Sequence, residues 1–172
     1  CGLVVAEVQE NMLRTAGDNF IDSDLIDYFV IIPDGESPKA PARPERTPVN
    51  LEAIDVAAAL TASLVNDGDT LEIGVGLASN AVTPHLFDKK DLGYHSELTS
   101  PGIAQLYAAG VINGSNKSRD IGKLCVTLLP AQPEDIEIVA QNYADWEVYG
   151  VDYIHNPSVI ATRRQMTAIN TA

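Results

Sequence analysis

The sequence is poor in cysteine, in basic residues and in long apolar runs. Its 172 residues include only 2 cysteines, too few for a disulfide framework or a cysteine-based zinc site. No apolar run approaches the roughly 20 residues needed to cross a bilayer, and the first residues lack the basic-then-apolar order of a signal peptide. We therefore expect a soluble cytoplasmic protein that does not use a membrane.

The shortage of basic residues argues against polyanionic partners. Lys and Arg together number 11 against 24 Asp and Glu, which gives a formal net charge of −13. A field of this sign repels nucleic acid and anionic lipid, so we expect neither as a partner. An anionic ligand would have to be held by a local arrangement of donors.

What the chain contains is typical of a globular α/β protein. Apolar residues make up 45% and charged residues 20% of the composition. Apolar runs at residues 3–8 and 28–32 predict two strands, and five of the ten prolines fall between Pro33 and Pro48. We therefore divide the chain into terminal strands of a preceding domain (1–32), a proline-rich linker (33–49) and an α/β domain (50–172).

Within residues 50–172, strand and helix patterns alternate, which predicts a largely parallel sheet flanked by helices. A helix capped by Asn50 is expected to turn Leu51, Ile54, Ala58 and Leu64 inward. The other predicted helices cover 80–87, 100–110, 133–146 and a short segment from Pro157. The predicted strands cover 70–75, 94–98, 124–129 and 166–172.

One strand of this sheet runs into a glycine turn, Gly74-Val75-Gly76, which precedes a helix start. Glycine allows a ligand to approach the backbone closely, and free N–H groups there can bind a phosphate or a developing oxyanion. The third glycine of a dinucleotide fingerprint is missing, so the turn alone is compatible with either a functional loop or a structural bend.

An isolated carboxylate, Glu97, lies 21 residues further on in an otherwise apolar stretch. Burying a carboxylate is costly unless it is hydrogen-bonded, paired or used in chemistry. In a strand, His95 and Glu97 point to one face and Ser96 to the other. The pair is compatible with a structural role, a metal ligand or a reactive carboxylate, whereas a serine hydrolase is excluded because Ser96 and His95 diverge and no Gly-x-Ser-x-Gly elbow surrounds them.

No metal is expected, because the three histidines are widely separated and none forms an i, i+4 pair. The basic residues Lys117, Arg119 and Lys123 are compatible with a solvated loop or with a phosphate site. Cys125 is interpreted as a small buried apolar residue.

Several segments in order resemble the acetyl-CoA hydrolase/transferase family, which includes 4-hydroxybutyrate and butyrate CoA-transferases. The similarity covers nearly the whole chain, in the segments RTAGDNFI (14–21), DYFV (27–30), DGDTLEIGVG (67–76), KKDLGYHSE (89–97), AGVING (109–114), VDY (151–153) and MTAIN (166–170).

The resemblance implies that Glu97, the acid of a His-Ser-Glu triplet where relatives have His-Thr-Glu, is a nucleophile that attacks an acyl-CoA. It also implies that Gly74, Val75 and Gly76 stabilise oxyanions, that coenzyme A is a substrate and a carboxylic acid the acceptor, and that the protein is a homo-oligomer. Asn156, Lys117, Arg119 and Lys123 are then candidates for contacts with CoA.

Two features depart from the family pattern. Relatives tend to carry Asn two residues before the position of Pro157, where this chain has His155, and a Ser-Asp-Gly turn where it has Ser100-Pro101-Gly102. Family members also extend further at both ends, so we expect this chain to be a central fragment, inactive alone. The rival hypotheses are an acyl-CoA hydrolase and a non-catalytic CoA-binding or assembly domain.

Overall fold

A computed structural model describes residues 2–10, 12–33, 50–129 and 133–170. They form a six-stranded sheet in the order β2-β7-β6-β5-β4-β8 and a separate two-stranded sheet, β1-β3. All strand pairs among these residues are parallel. The structure thus confirms a parallel α/β architecture. Residues 34–49, which hold most of the predicted linker, lie outside the described part.

The strands are short and the helices lie between them along the chain. The strands are β1 (Val5–Val8), β2 (Ala16–Gly17), β3 (Tyr28–Ile31), β4 (Thr70–Ile73), β5 (Gly93–Leu98), β6 (Leu124–Leu128), β7 (Trp146–Val148) and β8 (Met166–Ile169). The helices are α1 (Leu51–Ser63), α2 (Leu77–Asn80), α3 (Ile103–Ala108), α4 (Pro133–Gln141), α5 (Val151–Ile154) and α6 (Pro157–Ile160). Single 3₁₀ turns lie at Ser23–Leu25, Thr83–Leu86 and Tyr143–Asp145.

The core is centred on strands β4 to β6 and on helix α3. Most residues of these strands are buried whichever face they point to, polar residues such as His95 and Ser96 included, because elements cover both faces of the parallel sheet. Fully buried side chains include Leu71, Leu124 and Leu106. Trp146 is buried as well and its ring lies 5.8 Å from that of Tyr107. The central strands are therefore held by packing on both faces.

Helix α1 begins as the sequence predicts, because the Asn50 side chain accepts a hydrogen bond of 3.0 Å from the N–H of Ala53. Its buried face, however, consists of Ala58 and Ala62, while Leu51 and Leu64 are exposed. The prediction that these two leucines point inward is wrong for this chain. Small residues allow the helix to pack closely against helix α2 and the Thr83–Leu86 turn, and several larger apolar side chains face outward.

Other differences from the prediction concern short elements. Trp146 belongs to strand β7 rather than to the end of a helix, because the α4 helix stops at Gln141 and a 3₁₀ turn follows. In place of one helix over 80–87, helix α2 ends at Asn80 and a 3₁₀ turn covers Thr83–Leu86. Tertiary packing decides such short elements, since their local propensity is weak.

Strand β2 lies within the first 32 residues but pairs with β7 at the edge of the larger sheet. Only β1 and β3 form the separate pair. The proposed boundary at residue 32 stays a prediction. No helix among the described residues is long and apolar enough to cross a membrane.

We expect Leu106→Ala to lower the free energy of unfolding by about 2–5 kcal/mol, because it leaves a cavity in the core beside the sheet. Leu60→Ala on α1 is the matched control, since Leu60 is 64% exposed. Urea unfolding followed by circular dichroism measures both variants. Equal losses of unfolding free energy in the two variants would contradict the burial of Leu106 in the core.

Candidate functional site

Three strands end side by side at one edge of the sheet, and each end carries a polar or glycine residue. The register pairs Ile73 of β4 with Ile169 of β8, and Leu71 of β4 with Tyr94 of β5. Extending both registers to the ends of the strands places Gly74 between Glu97 and Asn170. The carboxyl edge of a parallel sheet is where ligand sites of such folds collect.

Glu97 opens onto a cavity of about 260 Å³ at this edge. The polar lining consists of Glu72, Glu97, His155 and Asn170, and the apolar lining of Ile154, Ile160, Met166 and Ala168. The side chain of Glu97 is 49% exposed. A carboxylate at this position can meet an incoming molecule without any rearrangement of the core.

The Glu97 carboxylate is weakly engaged by its neighbours. Its Oε2 atom lies 3.9 Å from Nε2 of His155, and the described residues place no lysine or arginine within ion-pair distance of it. The other acid of the cavity, Glu72, accepts a hydrogen bond of 2.7 Å from the amide of Asn170. Of the two carboxylates, Glu97 is thus the less engaged by side chains among the described residues.

The Gly74-Val75-Gly76 turn leaves β4 beside Glu97. A side chain at Gly74 would collide with the Asn170 amide oxygen, so glycine at this position leaves room for the Asn170 side chain. The hydroxyl of Ser79 donates to the Gly74 carbonyl at 2.6 Å. The N–H groups of Val75 and Gly76 have no acceptor among the described residues, so they are available as donors.

His95 and Glu97 lie on the same face of β5, as the sequence predicts. His95 bonds through Nε2 to the carbonyl of Ile154 at 2.9 Å, and Glu97 lies next to His155, so both face the α5–α6 segment. Because that carbonyl can only accept, Nε2 of His95 carries the proton. The Nδ1 atom is then an acceptor, and it is buried without a partner among the described residues.

Next to His95 lies a buried cluster of charged and polar side chains, which consists of Lys117, Asp120, Cys125 and Arg163. The ammonium of Lys117 donates to the carbonyls of Tyr94 and Lys123, at 3.1 and 2.6 Å, and to Sγ of Cys125, at 3.2 Å. A side chain at Gly93 would place its Cβ 2.5 Å from Cγ of Lys117, so the lysine stem also requires glycine on β5. All three donors of this lysine are therefore used within the protein.

Asp120 is the anion of this cluster. It accepts from Arg163 at 2.8 Å and from the Tyr153 hydroxyl at 2.9 Å. Burial alone would raise the pKa of Asp120, but the hydrogen bonds from Arg163 and Tyr153 outweigh it and the pKa is lowered. The carboxylate is thus held in its charged form.

The same surroundings act on the neutral members of the cluster. Burial, together with the positive charge of Arg163, lowers the pKa of His95 from 6.5 to about 4. Burial raises the pKa of the Cys125 thiol to about 12, although the charge of Lys117 works in the other direction. At neutral pH the imidazole is uncharged and the thiol protonated, so Cys125 is a poor nucleophile.

Three atoms that bind metals meet in this cluster, one each from His95, Asp120 and Cys125, and all lie within 4.8 Å of one another. The ammonium of Lys117 already contacts the thiol, and Arg163 contacts the carboxylate. These two cations supply the positive charge that a metal would bring, so the donor set does not fit a divalent ion well. The expectation of no metal cofactor stays a prediction.

The candidate CoA-contacting residues do not gather at the cavity, and none of the four lines it. Lys117 is 3% exposed. Lys123 pairs with Asp145 at 2.9 Å, and Asn156 caps helix α6 by accepting from the N–H of Ser158. Arg119 is exposed. A role of these residues in CoA binding stays a prediction.

Three cavity residues were not predicted as site residues from the sequence: Glu72, His155 and Asn170. The register of the parallel strands was the missing signal for Asn170, since it lies beside the glycine turn and donates to Glu72 only after β8 pairs with β4. The sequence marks His155 only as a departure from the family pattern. Its contact with Glu97 depends on how α5 crosses the sheet.

The comparisons with known proteins agree over nearly the whole chain. It is 40% identical over 169 residues to a 4-hydroxybutyrate coenzyme A transferase of Clostridium kluyveri, covering 98% of this chain and 38% of that protein. It is 34% identical over 168 residues to a succinyl-CoA:cyclohexane-1-carboxylate CoA transferase of Geobacter metallireducens, covering 97% of this chain and 37% of that protein. No family model matches.

A solved structure shares the fold. The crystal structure of a 4-hydroxybutyrate CoA-transferase from Porphyromonas gingivalis superposes with a TM-score of 0.81 at 32% identity, over 98% of this chain and 41% of that one. The chain therefore spans less than half the length of the relatives it matches.

The buried imidazole makes stability depend on pH. The His95 pKa is lower in the folded state, so the unfolded state binds more protons between pH 6.5 and about 4, and stability falls as the pH drops through this window. We expect His95 to contribute about 3 kcal/mol of this loss. Urea unfolding at a series of pH values measures it.

His95→Gln is the control, because its amide can still donate to the Ile154 carbonyl but does not titrate. The difference in unfolding free energy between the two proteins should change between pH 6.5 and about 4 and be constant above that window. A constant difference at all pH values would contradict a neutral buried His95.

Proposed function

We propose that this chain, which belongs to the family of the 4-hydroxybutyrate and butyrate CoA-transferases, carries the nucleophile for moving CoA from a short-chain acyl-CoA to a carboxylic acid. The observation that supports this most is the position of Glu97 at the carboxyl edge of the sheet, half-exposed, in a cavity, with no lysine or arginine of the described residues within ion-pair distance. The complete activity requires the remaining parts of such a protein.

The reaction proceeds by substitution at carbonyl carbons. An oxygen of Glu97 attacks the thioester carbonyl, the C–S bond breaks and the CoA thiolate leaves, which forms an acyl-glutamyl anhydride. The thiolate then attacks the glutamyl carbonyl and releases the donor acid, leaving a glutamyl-CoA thioester. The acceptor carboxylate takes CoA by the reverse steps, and the free Glu97 carboxylate returns.

Each substitution passes through a tetrahedral oxyanion that needs hydrogen-bond donors. The N–H groups of Val75 and Gly76 are free, and the Gly74–Val75 peptide is held by Ser79. Because a trans peptide directs its C=O and N–H to opposite sides, the bond from Ser79 to the Gly74 carbonyl turns the Val75 N–H away from the helix. We assign the oxyanion contacts to this turn.

Several narrower expectations belong to the same proposal. Outward apolar residues on α1, among them Leu51, Val56 and Leu60, support contacts with a second copy or with further parts of the protein. A homo-oligomer, a cytoplasmic location and the absence of a metal cofactor stay predictions. Coenzyme A enters as a substrate.

We expect Glu97→Gln to lower the rate of acceptor-dependent CoA transfer by about 10³-fold or more, because the amide cannot form the anhydride. The protein to assay is the full coding sequence that contains these residues. Borohydride reduction during turnover, followed by peptide mapping, locates the glutamyl thioester. The label should fall on Glu97 and be lost in the variant.

Glu72→Gln is the matched control, since it removes a neighbouring carboxylate from the same cavity and should keep the label at Glu97. Turnover without an acceptor acid would identify a hydrolase instead. A protein that binds CoA but gives neither label nor turnover would identify a binding domain and contradict the proposal.

A further inference from the structure

The pairing of β4 with β5 is interrupted just before the candidate site. The two strands are paired at Thr70–Gly93 and at Leu71–Tyr94. Both strands continue, and the register places Ile73 opposite Ser96, but these two residues do not form a backbone pair. On its other side, Ser96 pairs normally with Val126 of β6. The β5–β6 ladder skips the pair of Glu97 with Thr127 and resumes at Leu98–Leu128, whereas the β4–β5 ladder does not resume after Leu71–Tyr94 among the described residues.

The hydroxyl of Ser96 occupies the seam between β4 and β5. It accepts a hydrogen bond of 3.2 Å from the N–H of Ile73 and donates one of 3.0 Å to the carbonyl of the same residue. Ser96 is 0% exposed. One hydroxyl thus satisfies the two backbone groups of Ile73 that a regular ladder would bond to the backbone of β5, and it stands in place of the direct backbone pairing at this point.

The residues that follow the interruption are Gly74 on β4 and Glu97 on β5. Gly74 begins the turn that carries the N–H groups of Val75 and Gly76, and Glu97 is the proposed nucleophile. If the strands kept their ladder spacing to the end, the space between these parts would be narrower. We therefore infer that the distance between Gly74 and Glu97 depends on how β4 and β5 are spaced at Ile73 and Ser96.

The chain after Glu97 is fixed as well, by the residue two positions before Ser96. The hydroxyl of Tyr94 donates to the carbonyl of Leu98 at 2.7 Å and accepts from the N–H of Ser100 at 3.2 Å. Tyr94 is 0% exposed. Side chains of alternate residues on the face opposite to Glu97 thus hold the backbone on both sides of it.

We propose that Ser96 is a positioning residue, whose hydroxyl keeps β4 and β5 apart so that the thioester carbonyl of an acyl-CoA fits between Glu97 and the Gly74–Gly76 turn. This inference rests on the proposed function. It assigns to Ser96 a role in the distance between nucleophile and oxyanion donors, and no contact with the substrate.

The test compares Ser96→Thr with Ser96→Val in the full coding sequence that contains these residues. The two replacements have nearly the same shape, and only threonine keeps the hydroxyl. We expect Ser96→Thr to keep kcat within about 3-fold and Ser96→Val to lower it about 10²-fold, with KM for acyl-CoA changed much less, since misplacement of about 1 Å costs about this much in rate.

Thr167→Val is the control, because it also removes a partly buried side-chain hydrogen bond within the same sheet. The Thr167 hydroxyl donates to Asp69 at 3.0 Å, just before the other end of β4. It should leave kcat unchanged. Circular dichroism and CoA binding establish that each variant is folded. If Ser96→Val does not fold, Ser96→Ala replaces it, and the same loss of kcat is expected.

The outcomes separate the two proposals. Wild-type kcat in folded Ser96→Val or Ser96→Ala, with the borohydride label still on Glu97, overturns the role of Ser96 and leaves the proposed function intact. Equal losses in kcat for the threonine and valine variants also overturn it, because shape rather than the hydroxyl would then matter. Absence of label in the wild-type protein overturns the proposed function itself.

Discussion

The parallel pairing of β4 with β5 on one side and with β8 on the other is the constraint on which the candidate site depends. Parallel strands end at the same edge, so this pairing brings the residues after each strand together although they are far apart in the sequence. Gly74 lies between Glu97 and Asn170 for this reason. A shift of one residue in either register would turn the side chains concerned to the other face.

The chemistry available at this edge follows from a contrast between exposed and buried charges. Glu97 lies at the opening of a cavity beside His155, whereas in the cluster next to β5 Lys117 donates to two carbonyls and to Cys125, and Arg163 pairs with Asp120. Because the buried cations are used for backbone carbonyls and for Asp120, they are not free to neutralise Glu97. Among the described residues, the Glu97 carboxylate is thereby left without a lysine or arginine partner in a chain whose overall charge is strongly negative.

Three side-chain hydroxyl groups hold the backbone in place around the candidate site. Ser96 fills the seam between two strands, Ser79 fixes the peptide that precedes the free N–H groups, and Tyr94 holds the turn after Glu97. A hydroxyl can both donate and accept, so it can replace a pair of backbone bonds where a ladder has to open. The glycines nearby allow the close contacts that result, as at Gly74 against β8 and at Gly93 against Lys117.

The sequence by itself determined the alternation of strands and helices, the cap at Asn50, the shared face of His95 and Glu97, and, through its resemblance to a family, the identity of the candidate nucleophile. The first three are local or pattern properties, which periodicity and residue type specify without knowledge of neighbours, whereas the candidate nucleophile is implied only by the resemblance. Only the tertiary structure decided that Leu51 and Leu64 face outward, that Trp146 joins the sheet, that Lys117 is buried, and that His155, Glu72 and Asn170 share a cavity with Glu97. Each of these depends on which segments distant in the chain pack together, and strand order and register, which set that packing, are not properties of any single segment.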